Sequence, residues 1–302
     1  MNEKAPAPGL LVFVGVCTLD TIARVAAFPE PESRSVAEDF AIAGGGPAAT
    51  AAVAAARAGA ATAFIGTVGD DPEGERILAG LRSEGIDTTA VTREEGRSSG
   101  ASLILVSPRG ARAIVTRPVP ELAIDPSTAL PLLAQASWVH ADHLGWPALH
   151  ALSRPGHAYR TSVDGGNPIT GFSPAGVDLY VPTLSQLAKG TPPQDPAAIA
   201  SLLKKEFQRG AAEVVATDGA NGSWAVSREG RIQHIPAVGH HMYSTLGAGD
   251  VFHGALLAGI SAGLGLFDSV QYASETAALS CAGLDGRSRI PHRPPTAEER
   301  PR

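Results

Sequence analysis

The chain of 302 residues predicts an α/β protein in which a mostly parallel sheet lies between two layers of helices. Short apolar runs that suit buried strands alternate along the chain with longer segments of helical pattern. Hydrophobic residues make up 44% of the chain and charged residues 18%, which is enough for a large core. Such alternation favours parallel strands that helices cover on both faces.

The strands of this sheet are predicted from six apolar runs, at residues 11–16, 62–65, 137–141, 160–163, 179–181 and 214–217. The helices are predicted between and after them. Segment 47–57 is rich in alanine, segment 72–84 follows acidic residues that suit a helix start, and segment 196–208 ends in basic residues. Segment 251–266 is apolar and segment 268–282 is amphipathic. Ligands of such sheets bind at the carboxyl ends of the strands.

Two segments interrupt the alternation, at residues 25–42 and 101–116. In the second, apolar stretches at 103–106 and 113–116 flank a turn of sequence Ser-Pro-Arg-Gly, which predicts an antiparallel pair of strands. We expect both segments to form a small sheet that projects from a single domain spanning residues 1–302. This sheet would serve as a lid that excludes water or as the contact surface of a homodimer.

Charge and cysteine content exclude several classes of function. A net charge of −6 argues against broad affinity for nucleic acid. Only Cys17 and Cys281 occur, without paired spacing, so neither a disulfide scaffold nor a zinc site is predicted. The first apolar run is too short for a signal peptide, and segment 251–266 is shorter than a membrane span. These observations predict a cytoplasmic protein without a membrane partner.

The most informative motif is Leu246-Gly247-Ala248-Gly249-Asp250, which leads directly into an apolar helix. Without bulky side chains, the N–H groups of the first helical turn can bind a phosphate at the positive end of the helix dipole. A carboxylate at that place is useful if it takes the proton from a hydroxyl that attacks phosphorus. The motif therefore predicts a kinase site, and the alternative is a glycine-rich loop in which Asp250 only starts a helix.

Two further motifs lie in the amino-terminal half, Gly44-Gly45-Gly46-Pro47-Ala48-Ala49-Thr50-Ala51 and Phe64-Ile65-Gly66-Thr67-Val68-Gly69-Asp70-Asp71. Together with residues 247–250 they resemble the signatures of the PfkB, or ribokinase-like, carbohydrate kinases along nearly the whole chain. Within that family, segments 44–57 and 247–256 look most like bacterial sulfofructose kinases. The resemblance implies a ribokinase-like three-layer α/β/α sandwich and ATP-dependent phosphorylation of a sugar hydroxyl, with ATP and Mg²⁺ as cofactors. It also implies that Asp250 is the general base and that Gly247, Ala248 and Gly249 form the anion hole.

The resemblance carries further residues into the sugar site. Asp20 would accept hydrogen bonds from sugar hydroxyls, and Gly44, Gly45 and Gly46 would let the sugar approach the backbone closely. Arg112 would lie near the substrate or the transferred phosphate. The alternatives are a turn or helix cap for Asp20 and a solvated strand charge for Arg112.

The nucleotide site implied by the resemblance is the turn Thr217-Asp218-Gly219-Ala220-Asn221-Gly222, where the small residues Gly219 and Gly222 leave room for ATP beside Thr217. Ser274 would border the adenine, although packing of a helix face on the core explains it nearly as well.

Several positions depart from the family pattern. Ala49 replaces an asparagine expected to contact the sugar, and Ser244 replaces an aspartate, which puts a monovalent-cation site in doubt. Residues 183–186, Thr-Leu-Ser-Gln, stand where the family has Asn-x-x-Glu. No protein ligand to a metal is predicted, because Mg²⁺ held by nucleotide phosphates and water remains reasonable. A sulfonated sugar would need a cation, for which Arg34 is the candidate and solvent exposure the alternative.

Two other functions compete with the kinase. The departures at Ala49, Ser244 and residues 183–186 favour a catalytically weakened regulator that binds sugar or nucleotide. A nicotinamide-dependent oxidoreductase is disfavoured, because the sequence after the first strand, at residues 15–20, lacks the G-x-G-x-x-G turn. Retention of Asp250 and of all three anion-hole residues favours the enzyme.

Overall fold

Thirteen strands and eight α-helices are found in the computed structural model, which describes residues 9–108, 110–119, 121–152, 156–239 and 242–294. The strands are β1 (Leu10–Val14), β2 (Thr18–Arg24), β3 (Asp39–Gly45), β4 (Thr62–Gly69), β5 (Val91–Glu94), β6 (Ala101–Val106), β7 (Arg112–Arg117), β8 (Ala136–Ala141), β9 (Arg160–Gly165), β10 (Leu179–Pro182), β11 (Glu213–Thr217), β12 (Ser223–Val226) and β13 (Ile232–Ile235). The helices are α1 (Pro47–Arg57), α2 (Pro72–Ser83), α3 (Pro126–Leu133), α4 (Gly145–Leu152), α5 (Leu184–Ala188), α6 (Pro196–Gln208), α7 (Ala248–Ser261) and α8 (Leu266–Ser280).

Nine strands form the main sheet in the order β13-β12-β11-β10-β9-β8-β1-β4-β5. The seven strands from β11 to β5 pair in parallel, and β12 and β13 extend the sheet in antiparallel pairs. The chain passes from β1 to β4 on one side and returns to β8 on the other. This reversal opens a crevice at the carboxyl ends of β1 and β8, which is where ligands of such sheets bind.

Alternate residues of β1 show why the sheet is covered on both faces. Leu11 and Phe13 pack into a core shared with α1, α2, α7 and α8. Val12 and Val14 point the other way and pack with residues of α3 and α4. Further along the sheet, Leu203 of α6 packs against β9 and β11 on that second face. The predicted three-layer α/β/α sandwich is confirmed.

Helix starts follow the local chemistry that the sequence indicates. Helices α1, α2, α3 and α6 all begin with proline in the first turn, where the missing N–H costs nothing. Asp71 and Asp195 cap α2 and α6 by accepting backbone N–H groups. As a result, α1 and α6 have the predicted bounds, and α2 ends one residue earlier than predicted.

A second sheet of four strands, in the order β3-β2-β6-β7, forms the lid. Its inner face places Ile22, Ile104 and Val106 against Leu284. The antiparallel pair β6 and β7 lies where the sequence predicts it. Most of segment 25–42 is instead the connection between β2 and β3, and β2 itself was not predicted because polar residues interrupt its apolar pattern.

The predicted helix 251–266 is shorter than expected. Helix α7 ends at Ser261, because the chain turns at Gly263 with a φ of 89° before α8 starts at Leu266. None of the helices in the described part of the chain combines the length and the hydropathy that crossing a bilayer requires.

Candidate active site

Two buried aspartates, Asp142 and Asp164, lie at the carboxyl ends of the neighbouring strands β8 and β9. Asp142, just after β8, is wholly buried and accepts N–H groups from Val16, Ala48, Leu144 and Gly145. This carboxyl joins the end of β1 to the start of α1, so it braces the loops on both sides of the crevice. Burial raises its pKa in spite of these hydrogen bonds.

The loop before α7 leaves the amino end of that helix open. Gly247 has a φ of 72°, and no side chain caps the helix. A Cβ atom at Gly247 would lie 2.9 Å from the Cα of Gly286, so a larger residue would push the two loops apart. The N–H groups of the first turn lack partners within the helix, and that of Ala248 donates to the Thr245 carbonyl in a long hydrogen bond of 3.3 Å that an anion at the helix end would replace.

Asp250 lies in this first turn, where its side chain is half-buried. Loss of hydration raises the pKa of the Asp250 carboxyl to about 7, and the negative charge of Asp164 adds to the effect. The positive charges of His253 and Arg112 oppose the rise. A carboxyl with a pKa near neutrality is suited to accept and release a proton at physiological pH.

Beneath Asp250 lies a buried ion pair. Nε2 of His253, on α7, is 3.2 Å from Oδ1 of Asp164, the penultimate residue of β9, and both side chains are less than a tenth exposed. The ion pair holds the pKa of Asp164 well below its usual value and raises the pKa of His253, although burial opposes both shifts. The ring of His140 lies beside that of His253, with 5.1 Å between ring centres and a tilt of 42°, and shares a hydrogen bond with Ser162. Burial lowers the pKa of His140 to about 3, so this ring is neutral.

Two arginines of the lid reach the segment that leads into the anion-hole loop. Arg112 of β7 donates to the carbonyl and the hydroxyl of Thr245, both at 3.1 Å. Arg24 of β2 donates to the carbonyl of Tyr243 at 2.9 Å and lies over its ring. The lid and the loop are therefore tied together at two points.

The predicted sugar-site residues Asp20, Gly44, Gly45 and Gly46 lie together at the joint of lid and crevice. Asp20 is buried in β2 beside Gly45 of β3, where a Cβ atom would lie 1.9 Å from its carboxylate. Burial raises the pKa of Asp20, and its hydrogen bond from Thr18 opposes the rise. Gly46 has a φ of 91° and precedes α1.

Arg287 is a residue that sequence reasoning missed. It is buried, donates to the carbonyl of Gly45 at 2.8 Å and to the Thr50 hydroxyl at 3.1 Å, and packs on Gly44. Burial lowers its pKa to about 10, and the charges of both Asp20 and Asp250 oppose that change. Since one guanidinium lies within electrostatic reach of both carboxyls, the predicted sugar residue and the predicted base border the same region.

The predicted nucleotide residues lie along the same edge of the sheet, beyond β11. Thr217 ends β11, and Gly219 to Asn221 form a single 3₁₀ turn. The position of a Cβ atom on Gly219 is open space, whereas at Gly222 it would lie 2.2 Å from the carbonyl oxygen of Ile235. Ser274 of α8 uses its hydroxyl to donate to the Val270 carbonyl.

Three other predicted positions lie elsewhere or carry no ligand group. Arg34 is exposed on the connection between β2 and β3, and it is not among the main charges that act on Asp20 or Asp250. Ala49 is wholly buried in the core. Ser244 is buried, and its hydroxyl accepts the N–H of Leu246. No cluster of three or more histidine, cysteine or acidic side chains suited to a metal occurs within the described residues.

Among the charged side chains around Asp20 and Asp250, His253 and Arg287 had no sequence signal strong enough to identify them as candidate site residues. His253 lies on an apolar helix face, where a histidine indicates packing first. Its spacing of three residues from Asp250 was the available signal, since residues three apart share a helix face.

Comparison with known proteins gives a consistent result. The sequence profile of the "pfkB family carbohydrate kinase" matches residues 9–155 and 173–293, well over half of the chain. A ribokinase from Haemophilus influenzae is 26% identical over 95% of this chain and 97% of its own length. A fructokinase from Escherichia coli is 28% identical over 72% of this chain and 76% of its own.

Among solved structures, an Agrobacterium tumefaciens protein assigned as a ribokinase superposes with a TM-score of 0.80 at 26% identity, covering 94% of this chain and 95% of its own. The family resemblance predicted from the motifs is confirmed, and the comparisons do not single out sulfofructose kinases. The chain belongs to the pfkB family of carbohydrate kinases and is an ATP-dependent phosphotransferase that acts on a sugar hydroxyl.

Proposed function

We propose that Asp250 is the general base of this kinase and that the N–H groups of Gly247, Ala248 and Gly249 bind the transferred phosphoryl group. The observation that carries the proposal is a carboxyl of pKa about 7 in the first turn of a helix whose amino end has no side-chain cap. Asp250 takes the proton of the sugar hydroxyl as its oxygen forms a bond to the γ-phosphorus. The bond from that phosphorus to the bridging oxygen breaks, and ADP leaves.

The sugar binds between the lid and the crevice. Asp20 accepts hydrogen bonds from hydroxyls that do not react, and the strand of Gly44 and Gly45 forms the floor. Arg287 supports this proposal because it donates a hydrogen bond to the Gly45 carbonyl and interacts electrostatically with both Asp20 and Asp250. Arg112 is close enough to lower the pKa of Asp250, so its guanidinium is placed to offset charge on the phosphoryl group.

ATP binds along the carboxyl edge, with its base near Gly219, Gly222 and Ser274 and beside Thr217. Open space next to Gly219 supports this placement. Mg²⁺ enters as part of the MgATP substrate, since the described residues offer no acidic cage for a resident ion. No step is therefore assigned to a metal ligand of the protein.

The acceptor is a small ketose or aldose. The ribokinase and fructokinase relatives act on different sugars, so similarity leaves the choice open. Sulfofructose is the more specific proposal from the motifs, and its sulfonate requires a cation. Arg34 meets this need only if the exposed β2–β3 connection folds over the sugar, whereas Arg112 already lies at the site.

The test is ADP release from MgATP with ketoses, aldoses, sugar acids, nucleosides and sulfofructose. Turnover with one sugar, lost in Asp250→Asn, identifies the substrate class. Asp268→Asn is the matched control, because Asp268 also lies in the first turn of a helix but on the exposed start of α8. Binding of sugar or ATP without turnover on the whole panel would favour the catalytically weakened regulator instead.

We also propose that two copies associate through the outer face of the lid. Phe40, Ile42, Leu103 and Val115 are exposed on this face, opposite the buried residue Ile22. An apolar strip of this kind on a small sheet favours a symmetric contact between identical copies. Light scattering should show a dimer that Val115→Asp dissociates, with Leu130→Asp on α3 as the control. A monomeric wild-type protein would contradict the proposal.

A further inference from the structure

The ion pair of His253 and Asp164 lies where its charge acts directly on Asp250. His253 follows Asp250 by three residues on α7, so both side chains lie on one face of the helix. Its Nε2 atom contacts Asp164 at 3.2 Å, and both side chains are almost fully removed from solvent. The contact with Asp164 engages Nε2 of His253, and Asp250 is the proposed reacting group on which the charges of both residues act.

The groups around His253 confine a positive charge to this ring. His140, on β8, has the same ring chemistry but is neutral, because burial and the neighbouring charge of His253 lower its pKa to about 3. Asp164 on β9 and Asp250 on α7 both raise the pKa of His253 against the effect of burial. Asp142 after β8 and Arg112 on β7 act on Asp250 with opposite signs. One imidazolium therefore lies between two carboxyls, those of Asp164 and Asp250.

We propose that His253 and Asp164 are a positioning pair, in which protonated His253 is held in place by Asp164 and keeps Asp250 ionised while the sugar binds. This inference rests on the proposed role of Asp250 as the base. Without the imidazolium, the Asp164 carboxylate would only repel the charge of Asp250 across a poorly hydrated site. With it, part of that repulsion is offset, so a larger fraction of the base is ionised near neutral pH although it faces a nucleotide rich in negative charge.

A second observation supports a constrained ring. Among the described residues, Nδ1 of His253 is buried and has no hydrogen-bond partner, so the contact with Asp164 is the hydrogen bond that orients the ring. A protonated ring carries an unpaired N–H at Nδ1, and the attraction of Asp164 and Asp250 must outweigh that cost. Loss of either member would therefore affect both the charge and the placement of the other. A histidine that only filled space would need neither an acidic partner nor a place one helical turn from the base.

The pH dependence of kcat and of kcat/KM tests the proposal. His253→Gln keeps an amide donor of similar length for Asp164 and removes the charge, so the acidic limb should move up by about one to two pH units. Activity at pH 7 should fall about 5- to 50-fold, because half of the base is ionised at that pH in the wild-type protein, and most of it should return above pH 9. His150→Gln, on an exposed face of α4, is the matched control and should leave the profile unchanged.

An equal loss of activity at every pH, with the limb unmoved, would overturn the proposal and assign His253 a purely structural role. If the Gln variant does not fold, the wild-type protein decides. Histidine-ring NMR should show His253, assigned through its contacts with His140 and Phe252, still protonated at pH 7.5. A neutral His253 ring would overturn the proposal. Undiminished turnover in Asp250→Asn would instead refute the proposed role of Asp250 as the base. The NMR titration reports only the protonation of His253, so the two proposals can fail separately.

Discussion

The end of β9 and the start of α7 each bring an aspartate to the same site, and the two carboxyls respond in opposite ways. Both lose hydration, which by itself raises a carboxyl pKa. Asp164 accepts hydrogen bonds from His253 and from the N–H of Gly166, and its pKa falls well below the usual value. Within the described part of the chain Asp250 accepts no comparable hydrogen bond, and burial raises its pKa to about 7. For these two carboxyls the difference is the charge of His253, which is in direct contact with Asp164 and lowers its pKa, whereas hydrogen bonds alone leave the pKa of Asp142 raised.

The largest expected effect is on turnover. Asp250→Asn should lower kcat by roughly 10²- to 10⁴-fold, because an amide cannot take the hydroxyl proton. The KM values for sugar and ATP should change little, since the amide still fits the helix start. Steady-state kinetics measure both quantities. If Asp164→Asn lowered kcat further than Asp250→Asn, the two carboxyls would have to exchange their assigned roles.

For the free energy of unfolding we expect the opposite order, with a larger loss on replacing Asp164 than on replacing Asp250. Asp164→Ala leaves the charge of His253 buried without a partner, which costs about 3–5 kcal/mol in the free energy of unfolding. Asp250→Ala removes a half-buried carboxyl from a helix end and should change that free energy by about 1 kcal/mol or less. Urea unfolding of the two variants at pH 6 checks the contrast. Equal losses would show that the ion pair has no special energetic weight.

The sequence predicted the parts of this comparison unequally. Asp250 was found because the small residues before it and the apolar helix after it form a local pattern with one chemical purpose. Helix α1 was predicted with correct bounds because its alanine-rich run begins with proline, and α6 because its proline and the Asp195 cap are local signals too. His253 and Arg287 act on residues distant in sequence, Asp164 and Gly45, and only the folded chain brings these partners together.

The same distinction explains the errors in the fold. Strands β12 and β13 were not predicted because each has four residues and β13 contains polar side chains, so pairing with neighbours rather than pattern defines them. Strand β2 was missed because Thr18 and Asp20 interrupt its apolar pattern. Those two residues are polar because they line the joint between lid and crevice, where Thr18 donates to Asp20. The proposed sugar-binding residue Asp20 and its partner Thr18 thus obscured the local signal of the strand.

The pH dependence of activity and stability should diverge around neutrality. The kcat/KM value should rise with pH through about 7, because Asp250, the proposed base, accepts a proton only in its ionised form and has a pKa of about 7. The folded-state pKa of Asp164 is lowered from 3.8, so its contribution to stability is present above that value and is lost as pH falls further.

The pKa of His253 is raised from 6.5, so its contribution is complete below 6.5 and disappears as pH rises through the folded-state value. The ion pair therefore contributes most to stability between about pH 4 and 6.5, whereas activity increases above that range. Thermal unfolding and initial rates across pH 5–9 measure both curves. A kcat/KM value that falls from pH 6 to pH 8 would contradict the assignment of Asp250.

The smallest effect should come from the lid. Arg112 is exposed, and it is the last of the main charges acting on Asp250, so Arg112→Ala should shift the acidic limb far less than His253→Gln. Turnover should fall about 10-fold, because the hydrogen bonds to Thr245 that tie the lid to the anion-hole loop are lost.

Arg112→Lys should recover part of the loss by restoring the charge without the fixed fork of donors. Arg160→Ala is the control, because Arg160 is also exposed but lies at the start of β9, at the opposite end of that strand from Asp164. A limb shift in Arg112→Ala as large as that in His253→Gln would mean that the lid, and not the buried ion pair, sets the ionisation of the base.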